Sequence, residues 1–168
     1  MIVKWKHQKR YGQEPSYIKG MAWLDVCAKV EDWGCAKAYA KRYCEAEYVG
    51  VDGTPGAADV VADLSTYRSK TPGLFMRHVL EHNYDWEQIL QNALSSFTQR
   101  MSLIFYRPLK DKQKVIIPKN PVELDLPRPK LRKMVDEVFV REEFVKPSVH
   151  GFETIWYLEK GEKMPWLD

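Results

Sequence analysis

The chain has 168 residues, 45% hydrophobic, 29% charged and 12% aromatic, which is one domain's length with enough apolar material for a core and excludes a disordered or low-complexity polymer. A net charge of +3 denies it a global basic field for nucleic acid. No run approaches the about 18 apolar residues of a bilayer helix, and the opening MIVKWKHQKR lacks the apolar stretch of a signal peptide, so no membrane partner and a cytoplasmic address are expected.

The charge is unevenly placed. Lys4, Lys6, Lys9, Arg10 and Lys19 face only Glu14, giving a basic N-terminal arm that carries Trp5 and Tyr11. Cys27, Cys35 and Cys44 are odd in number, with no C-x-x-C pair and no zinc spacing, so reduced thiols and no metal are expected. No repeat with a period of 20 to 50 residues is visible.

The elements follow in order. A helix is expected from about Ser16 to Val26, with Ser16 as N-cap, Tyr17, Met21 and Leu24 on one face, and Gly20 weakening it. Short strand-like runs then alternate with helical ones: Ala28 to Glu31, helical Lys37 to Cys44, Tyr48 to Val51, Asp59 to Val61, Leu74 to Met76, helical Asp85 to Phe97, and Ser102 to Tyr106. This alternation implies βαβ units and an α/β fold with a mostly parallel sheet. The helix DWEQILQNALSSF is the clearest, because Trp86, Ile89, Leu90, Ala93, Leu94 and Phe97 form one apolar stripe and Asp85 with Gln88 has capping-box spacing. From Arg107 to Lys130 five prolines mark an excursion; a short helix near Leu131 to Val138 and a strand Phe152 to Leu158 complete the chain. Residues 1–168 thus read as one domain: an arm and helix at 1–27, a cofactor-binding core at 28–106, the excursion at 107–130, and a closing helix and strand at 131–168.

Chemistry gathers where strands end in acids. Val30-Glu31-Asp32-Trp33-Gly34-Cys35-Ala36-Lys37-Ala38 runs from a strand through small residues toward a helix, and such a turn lets a nucleotide-like ligand approach the backbone. Alone it is as well explained by packing. Asp52, in Tyr48-Val49-Gly50-Val51-Asp52-Gly53, follows Asp32 by the length of one crossover, which sets a carboxylate beside the turn to accept two ribose hydroxyls. Asp63 closes a third strand beside Leu64, suited to an adenine amino group, and the fourth strand runs into Arg77-His78-Val79-Leu80-Glu81-His82. Each Asp alone reads equally as a helix cap. Three in succession at one sheet edge do not.

In that order and spacing, VEDWGC, YVGVDG, ADVVADL, MRHVLEHNYDW and MSLIFYRP resemble a small class I S-adenosylmethionine-dependent methyltransferase across about Gln13 to Pro108, with FETIWYLEK resembling its final strand. The resemblance implies a Rossmann-like, doubly wound sheet flanked by helices, in minimal form, with the last strand antiparallel. It implies S-adenosylmethionine as cofactor and S-adenosylhomocysteine as product, held by Asp32, Gly34, Ala36, Asp52, Gly53, Asp63 and Leu64, with Arg77 and His78 near the transferable methyl. Ala36 and Ala38 depart from the family's pattern, standing where its second and third turn glycines would be. Alanine is small but strained at positive φ.

For a hydroxyl or protonated amine acceptor a positioned base adds roughly 10² to 10⁴ in rate, and His78 and His82, four residues apart, are the candidate bases. His78 reads as well, and His82 better, as a structural histidine, and Glu81 reads better as a hydrogen-bonding residue than as an acid. The segment Gln13 to Tyr17 is a candidate lid; Trp33 reads as packing. The acceptor expected is a small molecule or sugar unit. A nucleic-acid acceptor reached by the basic arm and a degenerate, non-catalytic binding module, motivated by Ala36 and Ala38, stay open. A nicotinamide oxidoreductase does not, because G-x-G-x-x-G is absent. Spacing says nothing of oligomeric state.

Overall fold

The computed structural model describes residues 15–119, 121–146 and 152–161. The basic arm apart from Lys19, and Gln13 and Glu14 of the candidate lid, lie outside them.

In chain order the elements are α1 (Pro15–Leu24), β1 (Lys29–Trp33), β2 (Glu47–Asp52), β3 (Val60–Val61), β4 (Thr71–Arg77), α2 (Trp86–Ser96), β5 (Phe97–Phe105), β6 (Lys114–Ile117), β7 (Glu123–Asp125), α3 (Arg128–Val135), β8 (Phe139–Val145) and β9 (Glu153–Glu159). Seven strands form one sheet in the order β3-β2-β1-β4-β5-β9-β8, and β6 with β7 makes a separate hairpin. The first five sheet strands are parallel, whereas β9 runs antiparallel to both β5 and β8. The chain order reverses between β1 and β4, and it is outside the carboxyl ends of strands flanking such a switch that open α/β sheets bind ligands.

Alternation along the central strands builds two cores. Phe75, Ile104, Ile155 and Tyr157 face α1 with Met21 and Leu24. Leu74, Met76, Leu103, Phe105, Trp156 and Leu158 face α2 and α3 with Trp86, Ile89, Leu90, Leu131 and Val135. Trp33, Trp86 and Trp156 are fully buried. Each contributes a gross burial term of about 4 to 6 kcal/mol, before the ordering entropy that opposes it. Gly20 is explained by proximity: a Cβ there would lie 2.7 Å from a Phe75 ring carbon and 3.0 Å from Ile104 Cδ1. Only a residue without one lets α1 sit this low on the sheet.

The crossovers are shorter than the sequence suggests. Lys37 to Cys44 is a single 3-10 turn at Tyr39–Tyr43, because the residues between β1 and β2 cannot fit a full helix beyond the tight turn that precedes it. Asp85 makes no side-chain cap; Gln88 is drawn instead to Asn92 Oδ1, 2.9 Å away. Ser16 lies within α1 and its hydroxyl accepts from Arg77. Two elements escape the sequence reading, the β6–β7 hairpin inside the Pro-rich excursion and the edge strand β8. Among the described residues no helix is long and apolar enough to cross a membrane.

Candidate functional site

The turn after β1 carries the site. Gly34, Ala36 and Ala38 all hold left-handed backbone, with φ of 78°, 50° and 55°. The alternation expected of three glycines is therefore kept with two alanines. Gly34 and Cys35 both donate their N–H to Val51 O, at 2.7 and 3.2 Å, folding the turn back over β2. Gly34 admits no substitute, since a Cβ would meet Val79 Cγ2 at 2.4 Å.

Asp52 is the tie that holds the turn. Its Oδ2 accepts the Ala36 N–H at 2.9 Å and its Oδ1 the Thr54 N–H at 2.8 Å, while the residue itself is nearly buried. Asp32 sits beside it on β1, 3% exposed, and Oδ2 accepts the Tyr48 hydroxyl at 2.6 Å. Burial, reinforced by the Asp52 charge and opposed by the Tyr48 bond, pushes the Asp32 carboxyl up to about 7. Tyr48 was not legible as a site residue. It is reached from Asp32 only through strand register, since Asp32 pairs with Gly50 and Tyr48 is the diagonal neighbour.

Asp63 follows β3, whose Val61 pairs with Asp52. Its Oδ1 accepts from Ser65 N and Ser65 Oγ at 2.9 and 2.7 Å, which holds the carboxyl below its usual range. The structure thus puts Asp32, Asp52 and Asp63 at the carboxyl ends of three adjacent parallel strands, with Asp32 and Asp52 electrostatically coupled. Gly53 begins the loop that leaves Asp52.

At the end of β4, Arg77 is buried and fully engaged. Nε donates to Ser16 Oγ at 3.0 Å, Nη1 to Tyr17 Oη at 3.1 Å and Nη2 to Glu153 Oε1 at 2.7 Å, and the guanidinium lies 4.2 Å from the Tyr17 ring centre. His78 is the third non-glycine residue in left-handed backbone, φ 56°, and Nε2 lies against Glu153 Oε1. Burial and the Arg77 charge push His78 down to about 3, so its ring is neutral; the hydrogen bond from His78 and the Arg77 charge hold Glu153 down at about 2 despite its burial. Of the two candidate bases, His82 is occupied otherwise: Nδ1 meets Val122 O at 2.9 Å, and its ring stacks on Tyr106 with centres 5.3 Å apart. Glu81 is buried, accepts the Tyr106 N–H at 2.8 Å and is pushed up to about 7 by desolvation. Glu153 was invisible to motif reading because it is contributed by β9, 76 residues after Arg77. Among the described residues no three His, Cys, Asp or Glu side chains are grouped to hold a metal ion.

No family model and no curated protein matches this sequence. Solved structures do. Magnesium protoporphyrin IX methyltransferase ChlM from Synechocystis PCC 6803, with SAH bound, superposes with a TM-score of 0.65 at 15% identity, covering 87% of this chain and 82% of that one. The N-terminal domain of EvdMO1 with SAH bound gives 0.61 at 13% identity over 89% and 82% of the two chains. An S-adenosylmethionine-dependent methyltransferase from Mesorhizobium loti gives 0.57 at 8% identity over 81% and 93%. The fold of this chain is that of the class I S-adenosylmethionine-dependent methyltransferases.

Proposed function

We propose that this chain is an S-adenosylmethionine-dependent methyltransferase acting on a small-molecule acceptor. The observation that carries the reading is the turn after β1: three alternating left-handed residues, two of them alanines, with Asp52 holding the middle one. Left-handed alanine costs about 1 to 2 kcal/mol per residue, and backbone strain concentrates where a binding site requires it.

The residues fit the cofactor. A carboxylate has about four lone-pair sites, and Asp52 uses two on backbone donors, which leaves capacity for ribose hydroxyls. Gly34 and Ala36 keep the turn slim, Asp32 serves the methionine end, Gly53 lets the β2 loop pass, and Asp63 with Leu64 serves adenine. When bound, S-adenosylmethionine supplies an electrophilic methyl group. Orientation does much of the rest, because a well-aligned displacement gains on the order of 7 to 11 kcal/mol. Arg77 fixes Glu153 and Glu153 fixes the His78 ring, which leaves His78 the group assigned to take the acceptor's proton, with the Glu153 carboxylate offsetting the charge the ring would gain. His82 holds the β6–β7 hairpin through Val122 and shapes the acceptor side. ChlM, named for magnesium protoporphyrin IX, and the mitomycin 7-O-methyltransferase MmcR are small-molecule neighbours that favour this acceptor class over nucleic acid.

Calorimetric titration of the full chain with S-adenosylhomocysteine tests the reading. Micromolar binding that Asp52→Ala weakens about tenfold or more, the loss of roughly 1.4 kcal/mol, is the expected result. Absence of binding by the intact protein would sink the enzyme and leave a non-catalytic module.

A further inference from the structure

Nothing helical lies between β3 and β4; residues 62–70 cross as an open connection. A loop that exposes so much backbone is ordinarily mobile. This one is fastened from outside by side chains on α2, Asn92 foremost.

Asn92 is 1% exposed. Its Nδ2 donates to Leu64 O at 3.0 Å and to Ser65 O at 2.9 Å, and its Oδ1 accepts from Arg68 Nε at 3.2 Å and Gln88 Nε2 at 2.9 Å. Both donors and both lone pairs of the amide are thus used, and the donor side can face only the two carbonyls. Ser96, one turn along α2, adds a second tether by accepting the Ser69 N–H at 3.0 Å. Leu64 itself is buried against the same core. The segment so fixed contains Asp63 and Leu64, the residues assigned to adenine.

We propose that Asn92 is a positioning residue for base recognition: by gripping the carbonyls of Leu64 and Ser65 it sets Asp63 and Leu64 against the amino edge of the adenine ring. The proposal rests on the reading of the chain as a methyltransferase. It assigns Asn92 no contact with the cofactor. A buried amide that satisfies two carbonyls at once is costly to remove, because each carbonyl left unpaired loses its partner in a water-poor site. The consequence for the ligand is selective. Loosening residues 63–65 removes what distinguishes a 6-amino from a 6-oxo purine, while the ribose and methionine ends stay with Asp52 and Asp32 on other strands.

The test is calorimetry on the full chain with two ligands, S-adenosylhomocysteine and S-inosylhomocysteine, which differ only at that edge of the purine, 6-amino with N1 an acceptor against 6-oxo with N1–H a donor. Wild type is expected to prefer the adenosyl ligand by at least about tenfold, as a hydrogen-bonding site does against an analogue that cannot pair. Asn92→Ala is expected to weaken the adenosyl ligand about tenfold, leave the inosyl ligand within about twofold, and so erase the preference. Ser95→Ala, on the exposed side of the same helix, is expected to change neither. Equal weakening of both ligands by Asn92→Ala, or an unchanged preference, would overturn the role of Asn92 while leaving the methyltransferase reading standing. Failure of wild type to bind either ligand overturns both. Should Asn92→Ala not fold, Asn92→Ser, which retains one donor, is carried through the same pair and is expected to lose part of the preference; full retention overturns the proposal.

Discussion

Asp52 Oδ2 accepts the backbone N–H of Ala36 at 2.9 Å, and Ala36 is held at a φ of 50°. A charge-assisted hydrogen bond is worth about 1.5 to 3 kcal/mol, while left-handed alanine costs about 1 to 2 kcal/mol. The two terms nearly offset, so the turn keeps its shape without glycine because a carboxylate from the next strand pins it.

Ala36→Gly is therefore expected to stabilise the fold or leave it unchanged. Relief of strain, about 1 to 2 kcal/mol, outweighs the roughly 0.4 to 1 kcal/mol that glycine adds to unfolded-chain entropy. Gly34→Ala is expected to have the opposite sign and a larger size, about 3 kcal/mol or more, because strain and overpacking against Val79 add. Urea unfolding of the two variants decides; destabilisation by Ala36→Gly of more than about 1 kcal/mol would show that the turn is not strained.

The spacing of Asp32, Asp52 and Asp63 was legible because each follows a run of β-type residues, buried in β1 and at the end of β2 though not in β3, and a parallel crossover has a narrow length range. The apolar stripe of α2 was legible for the same local reason, and Trp86, Ile89, Leu90 and Ala93 are indeed buried. β8 was not, since FVREEFV lies at the sheet edge, where only Val145 is buried and alternation disappears. Nor were Tyr48, Asn92 and Glu153 legible as site residues. Their partners stand 16, 27 and 76 residues away, and no periodicity encodes a contact made by tertiary packing. Gln88 shows the same effect in reverse, its capping-box spacing overruled by Asn92.

Asp32 gives the fold a pH dependence with a definite sign. Its carboxyl stays protonated to about 7 in the folded chain, against 3.8 as the ordinary value. The unfolded chain has lost that proton by then, so stability falls as pH rises from about 4 to about 7. Glu81, also raised to about 7, adds to the same limb. His78 acts on the other side: the unfolded ring takes a proton below 6.5 that the folded ring refuses until about 3, so stability also falls as pH drops through that window. Asp32→Asn keeps an acceptor for Tyr48 and is expected to match wild type near pH 4 yet exceed it at pH 8 by on the order of 4 kcal/mol, at about 1.4 kcal/mol per unit. Parallel stability curves for the two proteins between pH 4 and 8 would refute the assignment.

The buried Arg77–Glu153 pair is a different kind of electrostatic element. Each partner's charge is balanced by the other, and removal of one strands a charge in a dry site. Glu153→Leu is expected to cost about 3 to 5 kcal/mol. Arg77→Met with Glu153→Leu is expected to recover much of that, because the second change removes the orphaned cation, and a coupling energy above about 1 kcal/mol in the double-mutant cycle is the signature. Simple additivity of the two losses would mean the pair does not act as a unit.

Arg107 ties the β6–β7 hairpin to the end of β5. Nη1 meets Glu123 Oε1 at 2.5 Å and Nε meets Asp125 Oδ1 at 2.8 Å, with the arginine side chain 29% exposed. Both acids lie on β7, and the adjacent Val122 O is the partner of His82 Nδ1, so the hairpin rests on the rim through one ion-paired network and one histidine. Partial exposure limits the network to about 1 to 2 kcal/mol, too little to unfold the sheet but enough to change how often the hairpin lifts. Arg107→Met is expected to speed hydrogen exchange at the amides of Val115, Ile117, Leu124 and Asp125 by about tenfold, while Val30, Leu74 and Met101 in the central strands exchange as in wild type. Because the hairpin is proposed to shape the acceptor side and not the cofactor slot, S-adenosylhomocysteine affinity is expected to stay constant in the same variant. Exchange that accelerates uniformly across both groups of amides would show that Arg107 supports the whole fold and not the hairpin alone.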